Sequence, residues 1–344
     1  MTHCSKNNSN YKICIVKLSA MGDIIHAMVA LQFIKKDLPN CQIDWIVEDG
    51  FKGVLENNPH IDNILTVNLK SIKKNKSEIF NQLKLLKTYS KNNYDVVIDA
   101  QGLLKSAIVS KIVGSRVVGS FTAGFDKDSI RESIASWFYD KKVYIPYEKN
   151  AIDRNIKVLS EPLEIKINKD DILNKEPFLF YNKDNNYTNE SQAKILFVVG
   201  ASKENKIYPK EKFLELAQRL DEKILVVWGN DEEYETAKWL ESNSNLIEVA
   251  PKGNIDKLKF NIQNSKLVIG GDTGPTHMAW GLNVASITIF GNTPEYRNTY
   301  ITNINKVIKS NSYVDPLKLN KNDFTIRDIK AVDIYNIARE LLSE

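Results

Sequence analysis

Residues 12–47, KICIVKLSAMGDIIHAMVALQFIKKDLPNCQIDWIV, decide the fold. The segment opens with a β-branched run at 12–16, continues with apolar residues at helical spacing such as Ile24 and Met28, and closes with a second apolar run at 42–47. This order of strand, helix and strand predicts a βαβ unit, in which the two strands lie parallel. The sequence therefore predicts an α/β fold.

The same alternation continues through the chain and is interrupted once. Polar residues without periodicity fill 161–190, and the alternation then restarts. At 344 residues the chain is also long for a single core. We expect two Rossmann-like domains, 1–185 and 186–344, whose parallel sheets face each other across a cleft. A terminal helix at about 326–344 could pack back on the junction.

Strands are predicted at every point where a β-branched run is bounded by polar or turn residues. Beyond the first two, the predicted strands are 63–68, 95–100, 116–120, 141–145, 194–200, 223–229, 246–250, 266–271 and 284–291.

Composition excludes several classes of protein. The chain is 42% hydrophobic and 26% charged, as expected of a folded globular protein, and its net charge of +4 is too mild for a nucleic-acid binder. The three cysteines, Cys4, Cys14 and Cys41, have no C-x-x-C spacing, which favours a reducing compartment and argues against a metal cage. The amino-terminal sequence lacks a signal peptide or spanning segment, so we expect a cytoplasmic protein whose membrane contact is peripheral.

Positive charge is concentrated in one segment. Between Thr66 and Asn92 there are seven lysines and one acid, Glu78. The lysines are Lys70, Lys73, Lys74, Lys76, Lys84, Lys87 and Lys91. Such a patch indicates an anionic partner.

Ligands of doubly wound sheets bind at the carboxyl ends of the strands, so the strand-to-helix turns are the places to examine. In KLSAMGDIIH, residues 17–26, Gly22 permits a tight turn and Asp23 falls in the first turn of a helix. Asp23 suits a helix cap, because the helix dipole stabilises a carboxylate there. It equally suits a general base that is ionised at neutral pH.

A second turn, VVGASKENKIYPKEKF at 198–213, follows a strand but contains no G-x-x-x-x-G-K-[ST]. The chain also lacks G-x-G-x-x-G, which disfavours ATP hydrolysis and dinucleotide binding. Ser202 and Lys206 remain as candidate diphosphate-binding residues, although a loop lysine is usually only solvated.

A third turn, GGDTGPTHMAWG at 270–281, places Thr273 and the Gly274 N–H at the start of a helix. The helix dipole makes this a phosphate site. Asp272 can bind sugar hydroxyls. The alternative is an ordinary capped helix with a structural histidine, His277.

Two further turns carry charged residues. In WGNDEEYE, 228–235, either Glu232 or Glu233 can bind ribose hydroxyls. Alternatively, the carboxylate only stabilises the helix by its interaction with the positive end of the dipole. In DAQGLLKS, 99–106, Lys105 is available to an anion.

No metal site is predicted. Asp126 and Asp128 have D-x-D spacing, but they follow no clear strand and are interpreted as a solvated loop. The four histidines are far apart in sequence and form no H-E-x-x-H.

Several of these stretches together resemble the ADP-heptose:lipopolysaccharide heptosyltransferase family. They are KLSAMGDIIHAMVAL, YDVVIDAQGLLKSA, RESIASWFYDKKVYI, NKIYP and DTGPTH. The likeness runs through nearly the whole chain, and the second and third stretches look most similar to members that add the first heptose.

The resemblance implies a GT-B fold and an inverting transfer that needs neither a metal nor another cofactor. The donor would be ADP-heptose, and the acceptor would be the inner Kdo sugar of Kdo2-lipid A at the cytoplasmic face of the inner membrane. No nucleic-acid partner is expected.

The resemblance also assigns roles by motif, with Asp23 as the base. The donor-binding residues would be Ser202, Lys206, Thr273 and Gly274 at the diphosphate, Asp272 at the heptose hydroxyls, and Glu233 at the ribose. His277 would either contact the ligand or support the turn. The acceptor-binding residues would be Lys70, Lys73, Lys74, Lys76 and Arg131, which would suit carboxylates and phosphates. Ala20 and Ala201 stand where the family often has hydroxyl residues.

Two other functions compete with this interpretation. One is a sibling transferase that acts on an already heptosylated core. The other is a non-catalytic nucleotide-sugar binding protein, which would keep the C-terminal turns without needing Asp23. A dinucleotide oxidoreductase is already disfavoured by the missing glycine motif.

Overall fold

A computed structural model describes residues 11–114, 117–185, 187 and 193–343. The chain divides into two compact units, Met1–Phe178 and Leu179–Glu344. Each unit contains a six-stranded sheet in which every pair of neighbouring strands is parallel. The predicted α/β class, with two Rossmann-like units, is confirmed.

The sheet of the N-terminal unit has the order β3-β2-β1-β4-β5-β6. Its strands are β1 (Lys12–Val16), β2 (Gln42–Glu48), β3 (Asn63–Val67), β4 (Val96–Asp99), β5 (Phe121–Phe125) and β6 (Lys141–Val143). Its helices are α1 (Met21–Met28), α2 (Ala30–Asp37), α3 (Lys52–Leu55), α4 (Ser71–Lys74), α5 (Glu78–Tyr89), α6 (Leu104–Val113), α7 (Ala151–Ser160) and α8 (Lys169–Leu173).

The sheet of the C-terminal unit has the order β12-β11-β10-β7-β8-β9. Its strands are β7 (Ile195–Val198), β8 (Ile224–Val227), β9 (Ile247–Val249), β10 (Leu267–Gly271), β11 (Ala285–Phe290) and β12 (Asn305–Lys309). Its helices are α9 (Lys210–Leu220), α10 (Asp231–Asn243), α11 (Ile255–Gln263), α12 (Gly274–Gly281), α13 (Glu295–Asn298) and α14 (Ala331–Ser343).

The central strands form because both of their faces are buried. Ile13, Ile15 and Trp45 are fully buried, and Ile15 pairs with Trp45 in the register between β1 and β2. Parallel sheets covered by helices on both sides require such continuous apolar runs. Because of these continuous apolar runs, β1, β4, β7 and β10 could all be predicted from the sequence.

Both sheets have the strand order of a Rossmann fold, 3-2-1-4-5-6 within each unit. The order reverses between β1 and β4 in one unit and between β7 and β10 in the other. Loops that leave the carboxyl ends of these four strands diverge there and open a crevice for ligands. The turns containing Asp23, Lys206 and Asp272 leave β1, β7 and β10.

The strand predicted at 116–120 is wrong for the residues described. Residues 117–120 form a turn closed by a hydrogen bond from Ser120 N to Val117 O, and Gly119 has φ +90°. The strand is instead β5, with sequence FTAGF. Its Gly124 is needed because a Cβ there would lie 2.5 Å from the ring of Tyr139. Arg116 lies outside the described residues. Strand β12 was not predicted from the sequence.

The boundary between the units lies at Phe178/Leu179, whereas the sequence suggested 185/186. The intervening residues are held by the C-terminal unit. Asn182 N donates to the carboxylate of Asp256 at 3.1 Å, and Lys259 Nζ donates to Phe180 O at 2.8 Å. Residue 186 lies outside the described residues.

The last helix, α14, starts at Ala331, after a 3-10 turn at Thr325–Asp328. Its buried residues Ile334 and Ala338 join the apolar core formed by β7, β10, β11 and α9. In the described ranges, no helix is both long and apolar enough to cross a lipid bilayer.

We predict that Phe197→Ala destabilises the C-terminal unit by about 3–5 kcal/mol, because it leaves a cavity in a packed core. Phe197 is fully buried on β7, and its ring centroid lies 5.0 Å from that of Phe213. The midpoint of urea unfolding, followed by circular dichroism, measures the loss. Tyr313→Ala, at a residue 93% exposed in the same unit, is the matched control and should hardly move the midpoint. Equal shifts in the two variants would contradict the packing described here.

Candidate active site

The turn between β1 and α1 is held in place by the loop that follows β4. Gln101 Oε1 accepts hydrogen bonds from Leu18 N and Ser19 N, both at 3.1 Å. Lys17 is buried, and its Nζ donates to Ala100 O at 2.7 Å and to Asn155 Oδ1 at 3.1 Å. The backbone leading to Asp23 is therefore fixed by groups from two other elements.

Asp23 sits in the first turn of α1, and its side chain remains exposed. Its Oδ2 accepts a hydrogen bond from Ala20 N at 3.3 Å, so it does cap the turn as the simpler interpretation expected. One carboxylate oxygen is enough for this bond, and the other stays available to an incoming hydroxyl. Its role as a base stays a prediction.

Glu48 was missed by the sequence analysis, although it ends β2 directly beside the Asp23 turn. Its backbone N donates to Leu18 O at 3.1 Å, and its side chain is 3% exposed. Burial raises its pKa, while Lys105, Lys70 and backbone N–H groups of residues 69 and 70 oppose that rise. Its Oε1 accepts no hydrogen bond from the described residues. The signal available in the sequence was an acid at the end of an otherwise apolar strand.

The predicted acceptor-binding residues lie along the carboxyl edge of the N-terminal sheet, but not together. Lys70, Lys73, Lys74 and Lys76 follow β3 and are exposed. Arg131 is exposed in the segment after β5, with its guanidinium 5.1 Å from the ring centroid of Tyr147. Three strands separate β3 from β5, a distance of about 19 Å at ordinary strand spacing. The Asp23 turn lies between the two groups.

In the C-terminal unit, the loop after β7 and the end of β10 are joined by an ion pair. Lys206 Nζ lies 2.7 Å from Asp272 Oδ2 and also donates to Asp272 O at 3.1 Å. Asn205 Nδ2 donates to Lys321 O at 3.0 Å, which anchors the same loop. The predicted pair of donor-binding residues is thus brought together at the switch point of the sheet.

Asp272 is 8% exposed and accepts from three further side chains. They are His277 Nε2 at 3.0 Å to Oδ1, and Thr293 Oγ1 at 2.8 Å and Asn298 Nδ2 at 3.0 Å to Oδ2. Burial alone would raise the pKa of Asp272, but the attraction of Lys206 and the contacts of His277 hold it well below its usual value. Asp272 is therefore ionised and fully engaged, and its predicted contact with heptose hydroxyls stays a prediction.

His277 is buried, at 4% exposure, and its ring orients the Asp272 carboxylate. This contact favours the supporting role that the sequence analysis left open. Thr293 and Asn298 were missed because they belong to GNTPEYRN at 291–298, a stretch with no recognisable motif that follows β11.

The start of α12 directly follows Asp272. Thr273 is the N-cap and Gly274 the first helical residue, with Pro275 next. Close packing behind this turn requires glycine, because a Cβ on Gly270 would lie 2.6 Å from Val198 Cβ and 2.7 Å from Thr276 Oγ1. The helix start therefore sits against the end of β7, beside Lys206, with its positive dipole end at the carboxyl edge.

Glu233, rather than Glu232, turns toward the loops at this edge. Its Oε2 accepts from Gly229 N at 2.7 Å, and its side chain covers Gly200, where a Cβ would lie 2.0 Å from Oε1. Glu232 is exposed on α10. Ser202 is exposed in the loop after β7.

The D-x-D stretch belongs to a turn. Asp126 Oδ1 accepts from Ser129 Oγ at 2.5 Å and from Asp128 N at 3.2 Å. Across the described part of the chain, no group of three or more His, Cys, Asp or Glu residues is placed to hold a metal ion. Cys14 and Cys41 are buried thiols, and Cys4 lies outside the described residues.

A sheet of parallel strands in Rossmann order in each of two units is the architecture of GT-B proteins, the class that includes many glycosyltransferases. The family described as Glycosyltransferase family 9 (heptosyltransferase) matches residues 82–323. The chain belongs to this family, and it is a glycosyltransferase. The resemblance drawn from the sequence is confirmed.

A curated relative supports this assignment, and two solved structures share the fold. The chain is 39% identical to lipopolysaccharide heptosyltransferase 1 of Campylobacter coli over 350 residues, covering 97% of this chain and 99% of that protein. The structure of E. coli heptosyltransferase WaaC with ADP is similar with a TM-score of 0.80 at 24% identity, covering 96% of this chain and 99% of that one. E. coli ADP-heptose lps heptosyltransferase II is similar with a TM-score of 0.71 at 17% identity, covering 96% and 98%.

We predict that Asp272→Asn destabilises the C-terminal unit by about 3–5 kcal/mol at pH 7, because it leaves Lys206, whose side chain is only 15% exposed, without its counter-ion. The folded-state pKa of Asp272 lies below its unfolded value. Its stabilising contribution is therefore complete at neutral pH and is lost as pH falls below about 4. Urea unfolding of both proteins at falling pH should show the difference between them shrinking.

The matched control is Glu222→Gln, which removes an exposed ion pair with Lys194 at 3.0 Å. Its cost should stay below about 1 kcal/mol at every pH. A cost for Asp272→Asn no larger than that of the control would show that the buried pair is not needed.

Proposed function

We propose that this glycosyltransferase moves L-glycero-D-manno-heptose from ADP-heptose to the inner Kdo of Kdo2-lipid A, an early step in building the lipopolysaccharide core. The observation that carries the proposal is Lys206, held by Asp272 beside the start of α12. A fixed cation next to a helix start suits the diphosphate of a sugar nucleotide. The Campylobacter coli relative is named as a heptosyltransferase 1, and one E. coli WaaC structure contains ADP-2-deoxy-2-fluoro heptose.

In this proposal the C-terminal unit binds the donor. Lys206 and the helix start at Thr273 and Gly274 bind the diphosphate, with Ser202 contributing a hydroxyl. Glu233 binds the ribose, supported by its position over Gly200 in the loop that follows β7. Asp272 positions Lys206 through their ion pair and approaches the heptose hydroxyls.

Asp23 acts as the general base in a single displacement. It takes the proton of the acceptor hydroxyl while that oxygen forms a bond to the anomeric carbon. The bond from the anomeric carbon to the phosphate oxygen breaks at the same time, ADP leaves, and the configuration inverts. Its exposure at the carboxyl edge supports this role, because a base must reach its substrate.

The departing ADP gains negative charge as the bond breaks. Lys206 and the dipole of α12 are placed to stabilise that charge without a metal ion, so we propose a metal-independent reaction. Preorganised donors of this kind are each worth on the order of 10²-fold in turnover.

The acceptor carries carboxylates and phosphates, which suit the cationic residues at the other carboxyl edge. Lys70, Lys73, Lys74 and Lys76 lie to one side of the Asp23 turn and Arg131 to the other. A branched anionic acceptor could therefore be held on both sides of the base. Since lipid A is anchored in a bilayer, the enzyme would act peripherally at the cytoplasmic face of the inner membrane.

A mass-spectrometric assay with purified ADP-heptose tests the proposal against its nearest alternative. We expect the mass of one heptose to be added to Kdo2-lipid A, and little addition to an already heptosylated core. Preference for the heptosylated core would make the protein a sibling transferase. Donor binding without any transfer would indicate a non-catalytic binding protein.

We predict that Asp23→Asn lowers kcat by about 10²-fold to 10⁴-fold, because the amide can no longer accept the proton. The affinity for ADP should stay unchanged, since Asp23 belongs to the other unit. Initial rates and calorimetric titration with ADP measure the two effects. Asp49→Asn, at an exposed acid after β2, is the matched control and should keep nearly full activity. Full activity of Asp23→Asn would exclude Asp23 as the base.

A further inference from the structure

Helix α5 has an inner face that belongs to the core of the N-terminal unit. Leu86 is 2% exposed and packs in the apolar cluster that contains Val16 and Val67. Tyr89 Oη donates to Thr66 O at 2.8 Å, which ties the end of the helix to β3. The orientation of α5 is therefore set, and the opposite side of the helix faces away from the protein.

The outer face of α5 combines an exposed aromatic ring with lysines. Phe80, Lys84 and Lys87 are spaced four and three residues apart, so they lie on one side of the helix, and all three are exposed. Phe80 is 73% exposed. Lys91, in the 3-10 turn after the helix, is exposed as well.

The segment that carries this face is almost purely positive. Lys73, Lys74 and Lys76 precede the helix and are exposed. The one acid of the segment, Glu78, is partly buried and accepts a hydrogen bond from Asn81 Nδ2 at 3.2 Å. No carboxylate thus projects from the outer face of α5 between Phe80 and Lys91.

We propose that this outer face, formed by Phe80, Lys84, Lys87 and Lys91, docks on an anionic lipid bilayer. Phe80 enters the boundary between headgroups and acyl chains, and the lysines contact lipid phosphates. Apolar residues flanked by lysines on a helix that lies in the membrane plane are typical of peripheral membrane contacts. The inference rests on the proposed function, which requires the enzyme to reach an acceptor held in a bilayer.

The chemistry of the face favours a bilayer over a protein partner. Protein interfaces are enriched in aromatic residues, methionine and arginine, and depleted in lysine. Here the charges are all lysines, whose flexible point charges suit a fluid layer of phosphates. The face also adjoins the turn after β3 that carries Lys70, so docking would bring lipid phosphates near the proposed acceptor-binding lysines.

Sedimentation of the full chain with vesicles tests the proposal. The vesicles contain phosphatidylglycerol and phosphatidylcholine, or phosphatidylcholine alone, and no acceptor. We expect binding to the anionic vesicles only, and weaker binding at high salt. Phe80→Ser should lower the affinity by roughly fivefold to tenfold, because less apolar surface is buried. The double variant Lys84→Gln with Lys87→Gln should lower it by about tenfold or more.

Two controls locate the contact. Tyr313→Ser changes a residue that is 93% exposed in the C-terminal unit and should bind like the wild type. Trp137→Ser changes another exposed aromatic residue, 77% exposed, and should also bind like the wild type. Unchanged binding of both α5 variants, or a loss caused by Trp137→Ser alone, would overturn the proposal. Vesicle-independent self-association that is abolished by Phe80→Ser would overturn it in favour of a second copy of the chain.

Transfer assays separate this inference from the proposed function. With a water-soluble, de-acylated Kdo acceptor, Phe80→Ser should keep the kcat/KM of the wild type. With acceptor embedded in anionic vesicles, its rate should fall along with its vesicle binding. Absence of transfer by the wild type on both acceptors would defeat the proposed function, while the sedimentation result would still decide the docking face. Circular dichroism verifies that each variant is folded.

Discussion

A buried carboxylate at the end of one strand organises the C-terminal site. Asp272 is 8% exposed, and an ionised carboxylate at such a position is costly unless it is paired and hydrogen-bonded. Its donors come from three places in the unit: Lys206 after β7, His277 on α12, and Thr293 and Asn298 after β11. Satisfying one charge therefore fixes the relative positions of the segments that surround the proposed diphosphate site.

The N-terminal unit also has a buried carboxylate at the end of a central strand, Asp99 on β4, which accepts hydrogen bonds from Gln101 N at 2.8 Å and from Tyr139 Oη at 2.7 Å. Its turn after β1 is held by the neutral side chain of Gln101 and by the buried Lys17, which bonds to a carbonyl and an amide oxygen. Asp23 takes no part in holding this turn beyond one bond to Ala20 N, and it stays exposed. Asp23, exposed and with one hydrogen bond, thus differs from Asp272, which is buried and fully bonded. That difference matches a supporting role for Asp272 and a reacting role for Asp23.

Much of the candidate site was predictable from local pattern. Ser202, Lys206, Asp272 and Thr273 were placed at strand ends because apolar runs mark parallel strands and ligands bind where those strands end. The partners of these residues were not predictable. Lys206 and Asp272 pair across 66 positions in the chain, and neither motif indicates the other. The prediction of a strand at 116–120 was wrong for a related reason. The strand β5 has few large apolar residues of its own, and its Gly124 packs against Tyr139 from another segment.

The α/β class, the two units and the turns that carry the chemistry could be predicted from local sequence, because these depend on hydrophobic periodicity and on local turn residues. Three features became visible only in the folded chain: which acid is accessible and which is engaged, that Glu233 rather than Glu232 covers Gly200, and that Glu48 lies beside the Asp23 turn. These features depend on burial and on hydrogen bonds between segments far apart in the chain. Such contacts arise when the strands align side by side, and no local stretch of sequence encodes them.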